Sequence, residues 1–290
     1  MKTIILIFLF IVSTGSCQEK KENNAKNKVT MKKTPIIYGI DYDIQNHFQI
    51  LVNDDLVAQN FEDIKSSAFL PINEYLLSNK KAILKVKLYK SAKKQYITKE
   101  LYKNFSLKIM FCKNNLFEGF SLLQEISIPK EIKEESYIEY TYFLNVDFDK
   151  LNPILGWYSS KNLAENESNL LKEVQGYYIK VFNILNSGSY NDYYKIIKKR
   201  EEEVLLAYFD APEILQEQDD EKEKVQQAKG LMNSIDFSKY SLKFYGDGRL
   251  ITLEDKNGDS PLYYEDKDYK RIFGILLHRP KSGSPLEVIR

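Results

Sequence analysis

The chain has 290 residues, and its 42 Lys and Arg against 41 Asp and Glu leave a formal net charge of only +1. Charge this balanced supplies no global field to draw in nucleic acid, and the lysines are scattered among glutamates and tyrosines instead of forming a basic stripe. Two cysteines, Cys17 and Cys112, exclude a disulfide framework, while 21 Tyr and 16 Phe supply aromatic surface suited to packing or to protein and sugar contacts.

The chain opens with Met1-Lys2-Thr3, an unbroken apolar run from Ile4 to Val12, and Ser13-Thr14-Gly15-Ser16-Cys17. A basic start, an apolar segment too short to cross a bilayer and small residues before a cysteine form an export pattern. This segment resembles the signal of bacterial lipoproteins. The resemblance implies that residues 1–16 are a signal peptide and that the Cys17 thiol receives a diacylglyceryl group before cleavage leaves Cys17 as the new amino terminus. Each buried methylene contributes about 0.8 kcal/mol, so two or three acyl chains hold a folded domain on a membrane. The expected address is the cell envelope, lipid-anchored to the outer membrane on its periplasmic face or at the cell surface. From Gln18 to Lys28 the chain is polar throughout and without apolar period, which predicts a flexible tether over residues 17–33. Its charge after the cysteine also resembles signals that send some Gram-negative lipoproteins to the surface.

Residues 34–150 alternate with period two. Leu84, Val86 and Leu88 alternate with Lys85 and Lys87, and Phe105, Leu107, Ile109 and Phe111 alternate with Ser106 and Lys108. Phe48 to Val52 runs into the turn signal Asn53-Asp54-Asp55, and Tyr137 to Val146 is another aromatic and β-branched run. Several strands separated by polar turns predict an antiparallel β-sandwich. Between two of them, Leu70 to Lys81 resembles the cross-over segment of small β-sandwich accessory modules, the galactose-binding-like type among them; the likeness carries no ligand residues.

Residues 151–290 change period. Leu170, Leu171, Val174, Tyr177, Tyr178, Val181 and Leu185 predict a helix that Asn186-Ser187-Gly188 stops. A second helix begins near Tyr190, with Tyr193, Tyr194, Ile197, Val204, Leu205 and Tyr208 on one side and Lys198 to Glu203 across an exposed arc. Pro212 in a first turn starts a third, whose polar middle from Gln216 to Gln227 predicts a solvated helix or an excursion. Strands return at Tyr240–Tyr245 and Arg249–Leu253 around Gly246-Asp247-Gly248, then at Leu262–Tyr264, Arg271–Leu277 and Leu286–Ile289. The expected class is α+β: an amino-terminal antiparallel β-sandwich followed by a helical segment packed on a carboxy-terminal antiparallel β-meander.

Motifs for chemistry are sparse. His47 and His278 have no neighbours at metal-ligand spacing, so no metal or other cofactor is expected. No G-x-S-x-G occurs, and the apolar company of Cys112 favours a buried thiol over a nucleophile. Asp255, Asn257 and Asp259 begin like a calcium loop, but Gly258 comes too early and a turn is the better reading. Paired carboxylates for glycoside cleavage stay open, because sequence spacing does not set their separation.

The expected function is therefore a non-enzymatic, lipid-anchored envelope protein that binds a protein partner, in one version an immunity protein neutralising an envelope-acting toxin; the modular arrangement resembles such lipoproteins. Trp157, Tyr158, Tyr245 and Arg249 are the candidate contact residues, with Trp157 equally readable as a plug between the two units. Glycan capture is the alternative and requires an aromatic pair on a sandwich face with polar groups beside it. An envelope hydrolase is the third reading and requires a pocket with convergent carboxylates or a histidine.

Overall fold

The computed structural model describes residues 34–91, 94–97, 104–129, 135–165, 169–265 and 269–290. The expected signal peptide (1–16), the tether (17–33) and Cys17 itself lie outside the described residues. The described part is broadly α+β, with fourteen strands in four antiparallel sheets and three helices.

The first strands are β1 (Ile37–Ile44), β2 (His47–Val52), β3 (Asp55–Asn60), β4 (Ser66–Pro71), β5 (Ile83–Tyr89), β6 (Phe105–Cys112), β7 (Ser121–Glu125) and β8 (Tyr137–Phe143). They form two four-stranded sheets, ordered β4-β1-β6-β7 and β3-β2-β5-β8. Both sheets feed one apolar core: Ile40, Tyr42 and Leu107 come from the first, and Phe48, Leu84, Val86 and Leu88 from the second. Each such aliphatic side chain contributes roughly 1.5–3 kcal/mol when fully buried. The alternation in β5 is obeyed, Leu84, Val86 and Leu88 being buried and the intervening side chains half-buried. In β6 the Cys112 side chain faces away from this core, yet it is buried with Ile37 beneath Ala207, Tyr208, Ala211 and Ile214. Burial raises its thiol pKa.

The helices are α1 (Leu170–Ser187), α2 (Tyr190–Ala207) and α3 (Pro212–Gln227). In α1 Leu170, Val174, Tyr178, Val181 and Leu185 are buried, as three-and-four spacing requires. The exposed arc expected from Lys198 to Glu203 needs correction: Glu201 is buried and paired with Arg200 at 2.7 Å, and Glu203 turns toward Arg290. Charge alone marked those residues as solvated, whereas pairing with Arg200 and, across the fold, with Arg290 draws the two glutamates inward.

The last strands are β9 (Ser241–Tyr245), β10 (Leu250–Glu254), β11 (Tyr263–Glu265), β12 (Lys270–Ile272), β13 (Leu277–His278) and β14 (Glu287–Val288). The hairpin around Gly246-Asp247-Gly248 forms, with Tyr245 opposite Leu250. The rest is not one meander: β11 and β12 make a separate two-stranded hairpin, and the four-stranded sheet is ordered β14-β13-β10-β9. The run read as one strand from Arg271 to Leu277 splits into β12 and β13, with Gly274 in the break. Asp255 closes the turn after β10, accepting from the Asn257 and Asp259 amides at 2.8 and 3.0 Å. One carboxylate oxygen, Oδ1, takes both bonds.

The described residues from 34 to 290 belong to one compact unit. A third apolar cluster joins the early strands to the later elements through Leu51, Leu77, Trp157, Tyr208, Tyr245 and Leu250. Asn73 adds a polar tie, accepting from Tyr38 N at 2.8 Å and donating to Ile36 O at 2.8 Å and Ala207 O at 3.1 Å. No helix among the described residues is long and apolar enough to cross a membrane.

Candidate functional site

The outer face of the β3-β2-β5-β8 sheet is laid out in cross-strand rows. Antiparallel register places His47 beside Tyr89 and Tyr89 beside Tyr137; the next row on the same face is Gln59, Gln49, Lys87 and Glu139. The Tyr89 and Tyr137 rings lie 5.2 Å apart at 42°, and Phe61 lies 5.4 Å from Tyr89 on the other side. Three aromatics thus form a tilted strip bordered by amides and charges. Tyr89 OH donates to Gln49 Oε1 at 2.8 Å, Gln49 Nε2 donates to Gln59 Oε1 at 3.0 Å, and Tyr137 OH donates to Glu139. Burial, with Glu139 nearby, pushes the Tyr89 phenol up to about 12, so it remains a neutral donor at physiological pH. His47 is buried at the end of the strip and lies 3.1 Å from Asp63.

The four residues singled out in the sequence fall around the joint between early and late elements. Trp157, Tyr158 and Arg249 line a cavity of about 280 Å3 together with Asn53, Lys81 and Asp247. Tyr158 is 37% exposed and Arg249 half-buried, whereas Trp157 is 2% exposed. The indole is thus buried, packed under Gly246 and the Arg290 guanidinium. Tyr245 is also buried and faces a second cavity, of about 300 Å3. Asp54 locks the rim of the first: it pairs with Lys85 at 2.8 Å and accepts from Asp247 N at 2.9 Å. Arg249 donates to Asp247 O, and its buried Nε has no hydrogen-bond partner.

The second cavity carries a carboxyl group on each side, from Asp55 at the start of β3 and Glu254 at the end of β10. Burial raises both, Asp55 to about 8 and Glu254 to about 7, against the lowering influence of Arg290 on the first and of the Tyr245 hydrogen bond on the second. Nothing in the sequence marked this pair. Asp55 reads as part of a turn and Glu254 as a strand end, and only the packing of β3 against β9 and β10 brings them to one cavity.

A further arrangement was invisible without the fold. Ser160 Oγ lies 2.7 Å from His278 Nδ1, and His278 Nε2 lies 2.9 Å from Glu287 Oε1. The ionised carboxylate only accepts, so Nε2 carries the proton and Nδ1 accepts from the serine hydroxyl. Burial pushes the imidazole down to about 4, keeping it neutral. The order resembles a nucleophile-base-acid chain with the two ring nitrogens exchanged. Ser160 and His278 are only 7% and 1% exposed, so the arrangement ties the turn after Trp157 to β13 and β14.

Among the described residues no group of three or more His, Cys, Asp or Glu could hold a metal ion. Comparison with protein-family models, with curated proteins and with solved structures finds no match to this chain.

Proposed function

We propose that the protein is a lipid-anchored cell-envelope binding protein, without catalysis of its own, whose ligand is a glycan docked on the outer face of the β3-β2-β5-β8 sheet. In this reading a β-sandwich unit (34–150) precedes an α+β unit (151–290), and Cys17 tethers both to the membrane. The carrying observation is the Phe61-Tyr89-Tyr137 strip with Gln49, Gln59, Lys87 and Glu139 beside it. A sugar ring offers an apolar C–H face to aromatic rings and equatorial hydroxyls to flanking amides and carboxylates, and this strip supplies both within adjacent cross-strand rows. A glycan array probed with the full chain tests the reading. Binding that falls at least tenfold in Tyr89→Ala and Tyr137→Ala supports it; an empty array, or binding that ignores both substitutions, overturns it.

A protein partner is the second reading, and the cavity flanked by Tyr158 and Arg249 favours it. Exposed Tyr beside Arg is the composition of interface anchors. Capture of one stoichiometric partner whose binding is lost in Tyr158→Ala and Arg249→Ala, with no glycan bound, selects this reading.

A further inference from the structure

The cavity between β3 and the β9-β10 hairpin is a built site that neither reading uses. Asp55 is fully buried; its Oδ1 accepts from Leu56 N at 2.8 Å, but Oδ2 has no hydrogen-bond partner. Both oxygens of Glu254 share the single Tyr245 hydroxyl, at 3.1 and 3.2 Å, which leaves further accepting capacity. Leu56, Ile272, Ile275 and Leu276 supply apolar wall. The cation lining the cavity, Arg290, directs its terminal nitrogens elsewhere, Nη1 donating to Glu203 at 3.1 Å and Nη2 to Glu74 O at 2.7 Å, while its buried Nε has no hydrogen-bond partner and its charge acts on Asp55. Asp259, the third acid of the lining, is held by Lys270 at 2.5 Å.

We propose that this cavity binds a small organic amine, its ammonium donating to Asp55 Oδ2 and the Glu254 carboxylate and its hydrocarbon body lying against Leu56, Ile275 and Leu276. A buried acceptor without a donor is destabilising, and an ammonium carries three donors. The surplus of carboxyl groups over free cations selects a cation over an anion, and the apolar wall selects an organic cation over a hydrated metal ion. The volume, about 300 Å3, stands at the lower end of small-molecule sites, which run from roughly 300 to 1,000 Å3. Around Asp55 stand Arg290, Glu74 and Asp54, and around Glu254 stand Tyr245, Lys243 and Asp255. Since burial raises the two carboxyls to about 8 and about 7, both carry protons in part near neutrality, and amine binding releases protons to solvent.

The experiment titrates methylammonium, butylammonium and benzylammonium into the full chain in detergent solution, with benzyl alcohol and benzoate as neutral and anionic counterparts. Calorimetry in two buffers of different ionisation enthalpy reports both affinity and proton release. The expected result is at least tenfold preference for an ammonium over benzyl alcohol, weaker binding at pH 6 than at pH 8, and at least tenfold loss in Glu254→Gln. Asp55→Asn is expected to lose as much, with a thermal melt confirming its fold; if it does not fold, Glu254→Gln decides. Binding of benzyl alcohol as tight as benzylammonium overturns the proposal. So does failure of all three amines to bind at millimolar concentration, or unchanged affinity in Glu254→Gln.

Discussion

The Arg290 guanidinium lies over the Trp157 indole, 5.1 Å from the ring centroid, and its terminal nitrogens donate to Glu203 and the Glu74 carbonyl. One side chain thereby links the turn at Trp157, helix α2 and the turn after β4. Glu203 extends the tie, its other oxygen accepting from Gly156 N at 3.1 Å.

Arg290→Met leaves the Glu203 carboxylate, whose side chain is 13% exposed, without its cation. Removing one partner of a buried pair costs about 3–5 kcal/mol, whereas Arg290→Lys keeps the charge without the planar fork and falls between. Urea unfolding followed by fluorescence of Trp157, the single tryptophan, reads both variants. A loss below about 1 kcal/mol in Arg290→Met, the range of surface ion pairs, sinks this account.

Gly246 has φ +59°, and a Cβ there would stand 2.5 Å from Trp157 Cδ1 and Nε1. Gly230 has φ +71° with nothing near its missing Cβ. Alanine at Gly230 should cost only the left-handed backbone, about 1–2 kcal/mol, while alanine at Gly246 adds about 1–3 kcal/mol of overpacking against the indole. Equal losses at the two positions would show that Trp157 does not press on the hairpin.

The two raised carboxyls give stability a falling dependence on pH. Between the unfolded carboxyl range near pH 4 and the folded values of about 7 and 8, the native state holds more protons than the unfolded one. The derivative of unfolding free energy with pH is then negative, so the contribution is full below pH 4 and is lost as pH rises through 7 and 8. For Glu254 the loss is on the order of 3 kcal/mol, at 1.36 kcal/mol per pH unit. His278 acts oppositely: its folded value of about 4 lies below 6.5, so its contribution is lost as pH falls through that window. Burial raises Glu74 as well, so the raised carboxyls outweigh one imidazole. Denaturation series from pH 5 to 8 should therefore show a decline that Glu254→Gln flattens, and a slope unchanged by that substitution would contradict the assignment.

Cys17→Ala tests the proposed anchor. Loss of acyl labelling and of membrane retention is expected, because in the proposed reading the hydrocarbon that holds the chain on the bilayer is attached there. Unchanged membrane pelleting would end the lipoprotein reading.

Periodicity made the local elements legible. The buried positions of α1, the inward residues of β5 and the Tyr245–Leu250 hairpin follow from spacing alone, because each element must present one apolar face to a core. Periodicity did not reveal that β11 and β12 leave the main sheet, since strand pairing depends on which edges meet and not on alternation within a strand. For the same reason Trp157 was legible as an aromatic of consequence, but its buried position under Arg290 was not.

The amino-acid sequence by itself determined the mixed α+β character and the positions of most helices and strands, because these depend on neighbours within a few residues. Tertiary structure alone decided the chemistry. The aromatic row needs the register of β5 with β8, the Ser160-His278-Glu287 chain spans 127 residues of numbering, and Asp55 faces a cavity with Glu254 only because β3 packs beside the β9-β10 hairpin. Side chains acquire raised or lowered pKa values from the groups that burial places around them, and those groups are brought together by folding across long stretches of chain.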